Sequence, residues 1–102
     1  MNIHKVEKSN TVLTLVIIGN LDTNNSRLAQ ACIDDILTKD THNEIEVDFS
    51  KVKFLDSSGI GALVYLYKRL IERERNMYIK NATGQPLEFM KLLRINQAIS
   101  IS

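Results

Sequence analysis

Glu44-Ile45-Glu46-Val47-Asp48-Phe49, then Ser50-Lys51-Val52-Lys53, then Phe54-Leu55-Asp56-Ser57-Ser58-Gly59-Ile60-Gly61: this stretch changes its apolar period midway, and the change decides the fold. Ile45, Val47 and Phe49 alternate with Glu44, Glu46 and Asp48, the two-residue period of a strand. Beyond the glycines, Ile60, Leu63, Val64, Tyr67, Leu70 and Ile71 recur at spacings of three and four, the period of an amphipathic helix. A strand running through a short polar turn into a helix is the first half of a crossover to a parallel neighbour.

The flanking segments extend this pattern. Upstream, Ile3-His4-Lys5-Val6-Glu7 alternates, Lys8-Ser9-Asn10 is turn material, and Thr11 to Ile18 is rich in β-branched residues. Two such strands with so short a connector predict an antiparallel hairpin. Gly19-Asn20 ends the second strand, and Leu21-Asp22-Thr23-Asn24-Asn25-Ser26 offers several N-caps. Leu28, Cys32, Ile33, Ile36 and Leu37 then give a helix up to Lys39. Downstream, Glu72-Arg73-Glu74-Arg75 alternates in sign and reads as a solvated helix end. Met77-Tyr78-Ile79 is a short strand. Gly84-Gln85-Pro86 opens a third helix with apolar Leu87, Phe89, Met90 and Leu93, and Ala98 to Ile101 is a last short strand. The order β-β-α-β-α-β-α-β predicts an α/β fold. Its sheet is mostly parallel and four- to five-stranded, with an antiparallel N-terminal edge strand and about three helices, in a single domain over residues 1–102.

Ile, Leu, Val and Phe supply 33 of the 102 residues, well above the roughly 20% below which chains stay disordered, so a packed core is expected. A net charge of +1 with no long run of either sign gives bulk capture of nucleic acid or anionic membrane little to act on. The longest apolar stretch, Val12 to Ile18, is strand-sized, so no membrane insertion is expected. With no leader pattern at the N-terminus, the expected location is the cytoplasm. Cys32 has no intramolecular partner and reads as an inert, buried thiol, while the spread of Asp34, Asp35 and Asp40 predicts no metal site. Tyr65 and Tyr67 read as core or rim of the second helix.

One segment can carry chemistry. At Asp56-Ser57-Ser58-Gly59-Ile60-Gly61 two hydroxyls enter a helix whose first turn has four free N–H groups and the positive end of its dipole. A serine there either caps the helix or presents its oxygen to an outside reagent, and spacing alone leaves both open. Gly59 and Gly61 are expected to keep side chains clear of whatever approaches. A phosphate loop is absent, since no Gly-x-x-x-x-Gly-Lys run exists. A nucleophile elbow fails because leucine stands at Leu55 where glycine is required. His4 and His42 are poorly placed as bases.

The block Asp56-Ser57-Ser58-Gly59-Ile60-Gly61 resembles the signature of the anti-sigma-factor antagonists, the STAS domain family. Gly19-Asn20-Leu21-Asp22 resembles the family's Gly-x-Leu-Asp turn, and the order of elements matches through nearly the whole chain. Family members usually continue past the last strand into a final helix, whereas the sequence here ends at Ser102. The resemblance implies no enzyme and no cofactor. It implies a partner switch whose serine after the aspartate, Ser57, is phosphorylated, with Ser58 left to cap the helix. Unphosphorylated, the chain would bind an anti-sigma factor or related serine protein kinase; that kinase, using ATP and Mg²⁺ of its own, would modify Ser57 and end the complex. A metal-dependent serine phosphatase would reset it. The partner-facing set is then Asp56, Ser57, Ser58, Gly59, Ile60 and Gly61. Asp22 joins it, because loops leaving the carboxyl ends of parallel strands gather at one end of the domain. A different role within the family, a STAS subunit docked on a transporter ATPase, would leave the serines as a contact surface only.

Overall fold

The computed structural model describes residues 1–102 and contains five strands and three α-helices. In chain order these are β1 (Asn2–Glu7), β2 (Val12–Ile18), a 3-10 turn at Thr23–Asn25, α1 (Ser26–Thr38), β3 (Glu44–Lys51), α2 (Ser57–Glu72), β4 (Asn76–Lys80), α3 (Gly84–Leu92), a second 3-10 turn at Ile95–Gln97, and β5 (Ser100–Ile101). The strands lie side by side in sequence order, with β1 antiparallel to β2 and every later pair parallel. This is the sheet the periodicities predict, with the antiparallel strand at the N-terminal edge.

Each step from β2 to β5 moves one place in the same direction, and right-handed crossovers of that kind put all three helices on one face. The burial pattern agrees. Leu13, Leu15 and Ile17 of β2, Ile45, Val47 and Phe49 of β3, and Met77 and Ile79 of β4 form a single buried cluster. Ala29, Ile33 and Ile36 of α1, Ile60, Leu63, Leu66 and Leu70 of α2, and Met90 of α3 join it, with Leu21, Val52, Leu55, Ala82 and Ile99 from the connecting segments. The other sheet face is wetter, with Thr14, Val16 and Tyr78 half-buried. Its one buried carboxylate, Glu46, accepts from Lys8 Nζ at 3.0 Å and from Thr14 Oγ1 at 3.3 Å, with Lys80 Nζ at 3.6 Å.

Three local expectations need correction. Arg75 does not belong to a solvated helix end: it is 8% exposed. Its Nε donates to the carbonyl of His42 at 2.6 Å and its Nη1 to that of Ile36 at 3.1 Å. Ile36 lies in the last turn of α1, where carbonyls have no partner within the helix and the dipole attracts cations. The chain turns back at Glu74, in the left-handed region at φ 57, and that reversal carries Arg75 inward. Leu93, counted on the apolar side of α3, lies just past the end of the helix and is 46% exposed. At the start of α1, neither Asp22, which precedes the 3-10 turn, nor Asn25, which precedes the helix, caps through its side chain; the Nδ2 of Asn25 donates instead to the carbonyl of Asn20 and to Asp22 Oδ1.

Candidate functional site: the serine turn at the head of α2

β3 ends at Lys51, and Phe54-Leu55 continues it as an extended segment leading to the turn. Leu55 bridges Leu21 in parallel fashion. The Leu21 N–H donates to the Phe54 carbonyl at 3.0 Å, and the Asp56 N–H to the Leu21 carbonyl at 3.3 Å. Leu21 reaches this position because Gly19 turns the chain in the left-handed region at φ 106, favoured by glycine. Both turns that follow parallel strands are thereby joined by backbone pairing, which puts Asp22 and Ser57 at the same end of the sheet. The opposite side of the segment is held by a side chain. Gln85, near the start of α3, accepts from the Leu55 N–H and donates to the Leu55 carbonyl, both at 2.8 Å.

Asp56, not Ser58, is the N-cap of α2. Its Oδ1 accepts from the Gly59 N–H at 3.0 Å, in extended backbone at φ −109, ψ −174. This corrects the assignment of the cap to a serine: the helix begins at Ser57, three residues before the apolar period starts at Ile60, so both serines lie inside its first turn. The second carboxylate oxygen of Asp56 accepts from the backbone N–H and the hydroxyl of Thr23, at 3.1 and 3.2 Å. The bond from Gly59, helped by those from Thr23, holds the Asp56 carboxyl below its usual range against a smaller opposing effect of desolvation. Ser58 Oγ shares a 2.8 Å hydrogen bond with Thr23 Oγ1. Ser57 is exposed and its hydroxyl has no protein partner.

The remaining members of the expected surface divide sharply. Gly61 is exposed, and a Cβ there would meet nothing within 4 Å. Gly59 is buried, and a Cβ would collide with the carbonyl oxygen of Leu21 and with Leu55 Cδ1. Gly59 is therefore a packing glycine that lets the two turns touch, which corrects the expectation that it clears a path for an outside molecule. Ile60 is 8% exposed and belongs to the core, so it supports the turn from below instead of facing outward. Asp22 is half-buried, at the same end of the sheet as Ser57.

Two residues of this site were missed in the sequence, and a third, Phe54, was read there only as part of the apolar strand end before the turn. Thr23 and Gln85 carry no period or motif that reveals a hydrogen bond across 30 or more positions. Phe54 did carry a signal. In an extended segment neighbours face opposite ways, and with Leu55 fully buried Phe54 stands 42% exposed two residues before the cap.

Comparison with known proteins follows the same lines. Solved structures of the same fold include an anti-sigma factor antagonist from Mycobacterium paratuberculosis, with a TM-score of 0.84 at 19% identity, covering 98% of this chain and 85% of that one. The Bacillus cell fate determinant and anti-sigma factor antagonist SpoIIAA aligns in its unphosphorylated form with a TM-score of 0.74 at 16% identity, covering 99% and 87% of the two chains. Its phosphorylated form aligns at 0.76 and 15%, covering 99% and 91%. A sulfate transporter family protein from Wolinella succinogenes aligns at 0.75 and 13%, covering 88% and 72%. At these identities the likeness establishes the fold alone. Sequence comparison with curated proteins gives no match. The family profile described as STAS domain matches residues 4–102, and the chain belongs to that family.

Proposed function

We propose that this chain is a non-catalytic, phosphorylation-controlled partner switch. With Ser57 unmodified, the end of the domain formed by Asp22, Phe54, Ser57 and Gly61 binds an anti-sigma factor or related serine protein kinase. Phosphorylation of Ser57 by that kinase, with ATP, ends the complex, and a metal-dependent serine phosphatase restores it. The observation that carries this reading is the division of labour in the turn. Asp56 caps the helix and Ser58 is tied to Thr23, which leaves Ser57 as the exposed hydroxyl with no structural task. Likeness to an antagonist solved in both phosphorylation states supports it further.

The energetics suit a switch. A phosphate adds about −1.5 to −2 charges at neutral pH. At ~5 Å and an effective dielectric of ~20, each added charge meets an acidic partner group with roughly 3 kcal/mol of repulsion. Attraction to the N-terminus of α2 returns about 0.3–1 kcal/mol, or ~2 when partly buried. The fold therefore tolerates the phosphate while an interface built over Ser57 does not.

The test is intact mass after incubation with host lysate and ATP. A gain of one phosphate, abolished in Ser57→Ala, is expected. No gain, together with co-purification of a transporter ATPase, would replace the switch with a docked subunit.

A further inference from the structure

The Leu55 backbone is completely buried, yet β4 ends at Lys80 and supplies no strand to pair with it on the α3 side. Gln85 fills that place. Its amide offers one acceptor and one donor, and both engage the same residue at 2.8 Å, reproducing the paired bonds a neighbouring strand would give. We propose that Gln85 is a positioning residue for Ser57, a proposal that rests on the reading of Ser57 as the phosphate acceptor.

Leu55 is two residues from Ser57 and directly precedes the capping Asp56. Leu21 holds this segment from one side and Gln85 from the other. Both bonds from Gln85 run to backbone atoms, so the hold is independent of the side chain at position 55. Removing it leaves Leu55 with a free N–H and carbonyl that draw the segment toward water. The serine turn then samples orientations in which Ser57 Oγ is misaligned for in-line attack on the γ-phosphate of ATP. In that step the new bond joins Ser57 Oγ to phosphorus, the bond from phosphorus to the β–γ bridging oxygen of ATP breaks, ADP leaves, and the serine proton passes to a base of the kinase. A positional error of ~1 Å at a reacting atom costs up to about a hundredfold in rate.

The experiment compares wild type, Gln85→Met, and Met90→Ala, a buried residue of the same helix whose loss destabilises α3 but which makes neither hydrogen bond to Leu55. Two quantities are measured well below each melting temperature: amide hydrogen exchange over residues 55–59, and the rate of phosphate incorporation at Ser57 with host lysate and ATP. In Gln85→Met, exchange at Leu55 rises and incorporation falls by about tenfold or more relative to Met90→Ala at equal loss of melting temperature. If both quantities follow global stability equally in the two variants, Gln85 is a packing residue and the proposal is overturned. If wild type itself takes no phosphate, the reading of Ser57 fails, and with it the positioning role; the exchange data then show only whether Gln85 holds the turn.

Discussion

Thr23 and Asp56 are 33 positions apart in sequence, yet one carboxylate oxygen of Asp56 accepts from both the backbone N–H and the hydroxyl of Thr23. The other oxygen caps α2 at Gly59. A single carboxylate thus starts one helix and fixes the turn that leads to another. The surface carrying Asp22 and the surface carrying Ser57 are in this way one rigid platform.

Asp56→Asn separates these two tasks. Asparagine caps helices about as well as aspartate, so α2 persists, but an amide nitrogen facing Thr23 cannot accept its two bonds. The expected result is retained helix content in circular dichroism, a lowered melting temperature, and faster exchange at the Thr23 amide. An unchanged Thr23 amide would show that water replaces the carboxylate there at no loss.

Gly59 and Gly61 look equivalent in the sequence and differ in the fold. Gly59→Ala forces a methyl into the carbonyl of Leu21 and destabilises by about 3 kcal/mol or more. Gly61→Val meets open space, and its helix propensity is no worse than that of glycine. It should leave the melting temperature within a few degrees of wild type while weakening the partner complex. Denaturant titration of both variants beside a binding measurement decides the matter. Unfolding by Gly61→Val would reassign that glycine to packing.

Much of this was legible in the sequence, and the failures share a cause. Strand alternation around Ile45, Val47 and Phe49 and the helical spacing from Ile60 to Ile71 carried the order of elements and the mostly parallel sheet with its antiparallel edge strand, because each element buries one side at its own period. The start of α2 did not follow from that period, since Asp56, Ser57 and Ser58 are polar and the apolar repeat begins only at Ile60. Arg75 escaped for a related reason: its burial depends on a reversal at Glu74 and on carbonyls of distant segments. Local composition reports periodicity well and long-range hydrogen bonding not at all.

Arg75→Met tests that last point. It removes two charge-assisted bonds to carbonyls, one of them in the final turn of α1, and should cost about 1.5–3 kcal/mol. Loss concentrated in α1, seen as faster exchange near Ile36, is expected. A variant as stable as wild type would mean that the aliphatic part of Arg75 supplies all of its contribution.

Acid should destabilise the fold through three carboxylates. Burial pushes Glu46 and Asp48 up, but Lys8 and Lys80 outweigh it at Glu46, and the Ser50 N–H and Asn81 outweigh it at Asp48. Asp56 is lowered by the Gly59 N–H. Groups with lowered folded values contribute above their unfolded range, near pH ~4, and lose that contribution as pH falls through the lower folded values. In that window the unfolded chain binds more protons, so stability rises with pH. Denaturant midpoints should hold from neutral pH to about pH 5 and fall from there toward pH ~3, less steeply in Glu46→Gln. Equal slopes for wild type and Glu46→Gln would remove Glu46 from this account.

The most direct test of the switch compares one partner against two forms of the same chain. Wild-type protein carrying phosphate at Ser57, confirmed by phosphopeptide mapping, is measured beside the unmodified protein for affinity toward the kinase or anti-sigma factor that modifies it. A loss of a few kcal/mol, about a hundredfold in Kd, is predicted, with the melting temperature of the domain nearly unchanged. Equal affinity of the two forms, or phosphate mapped to Ser58, would contradict the account.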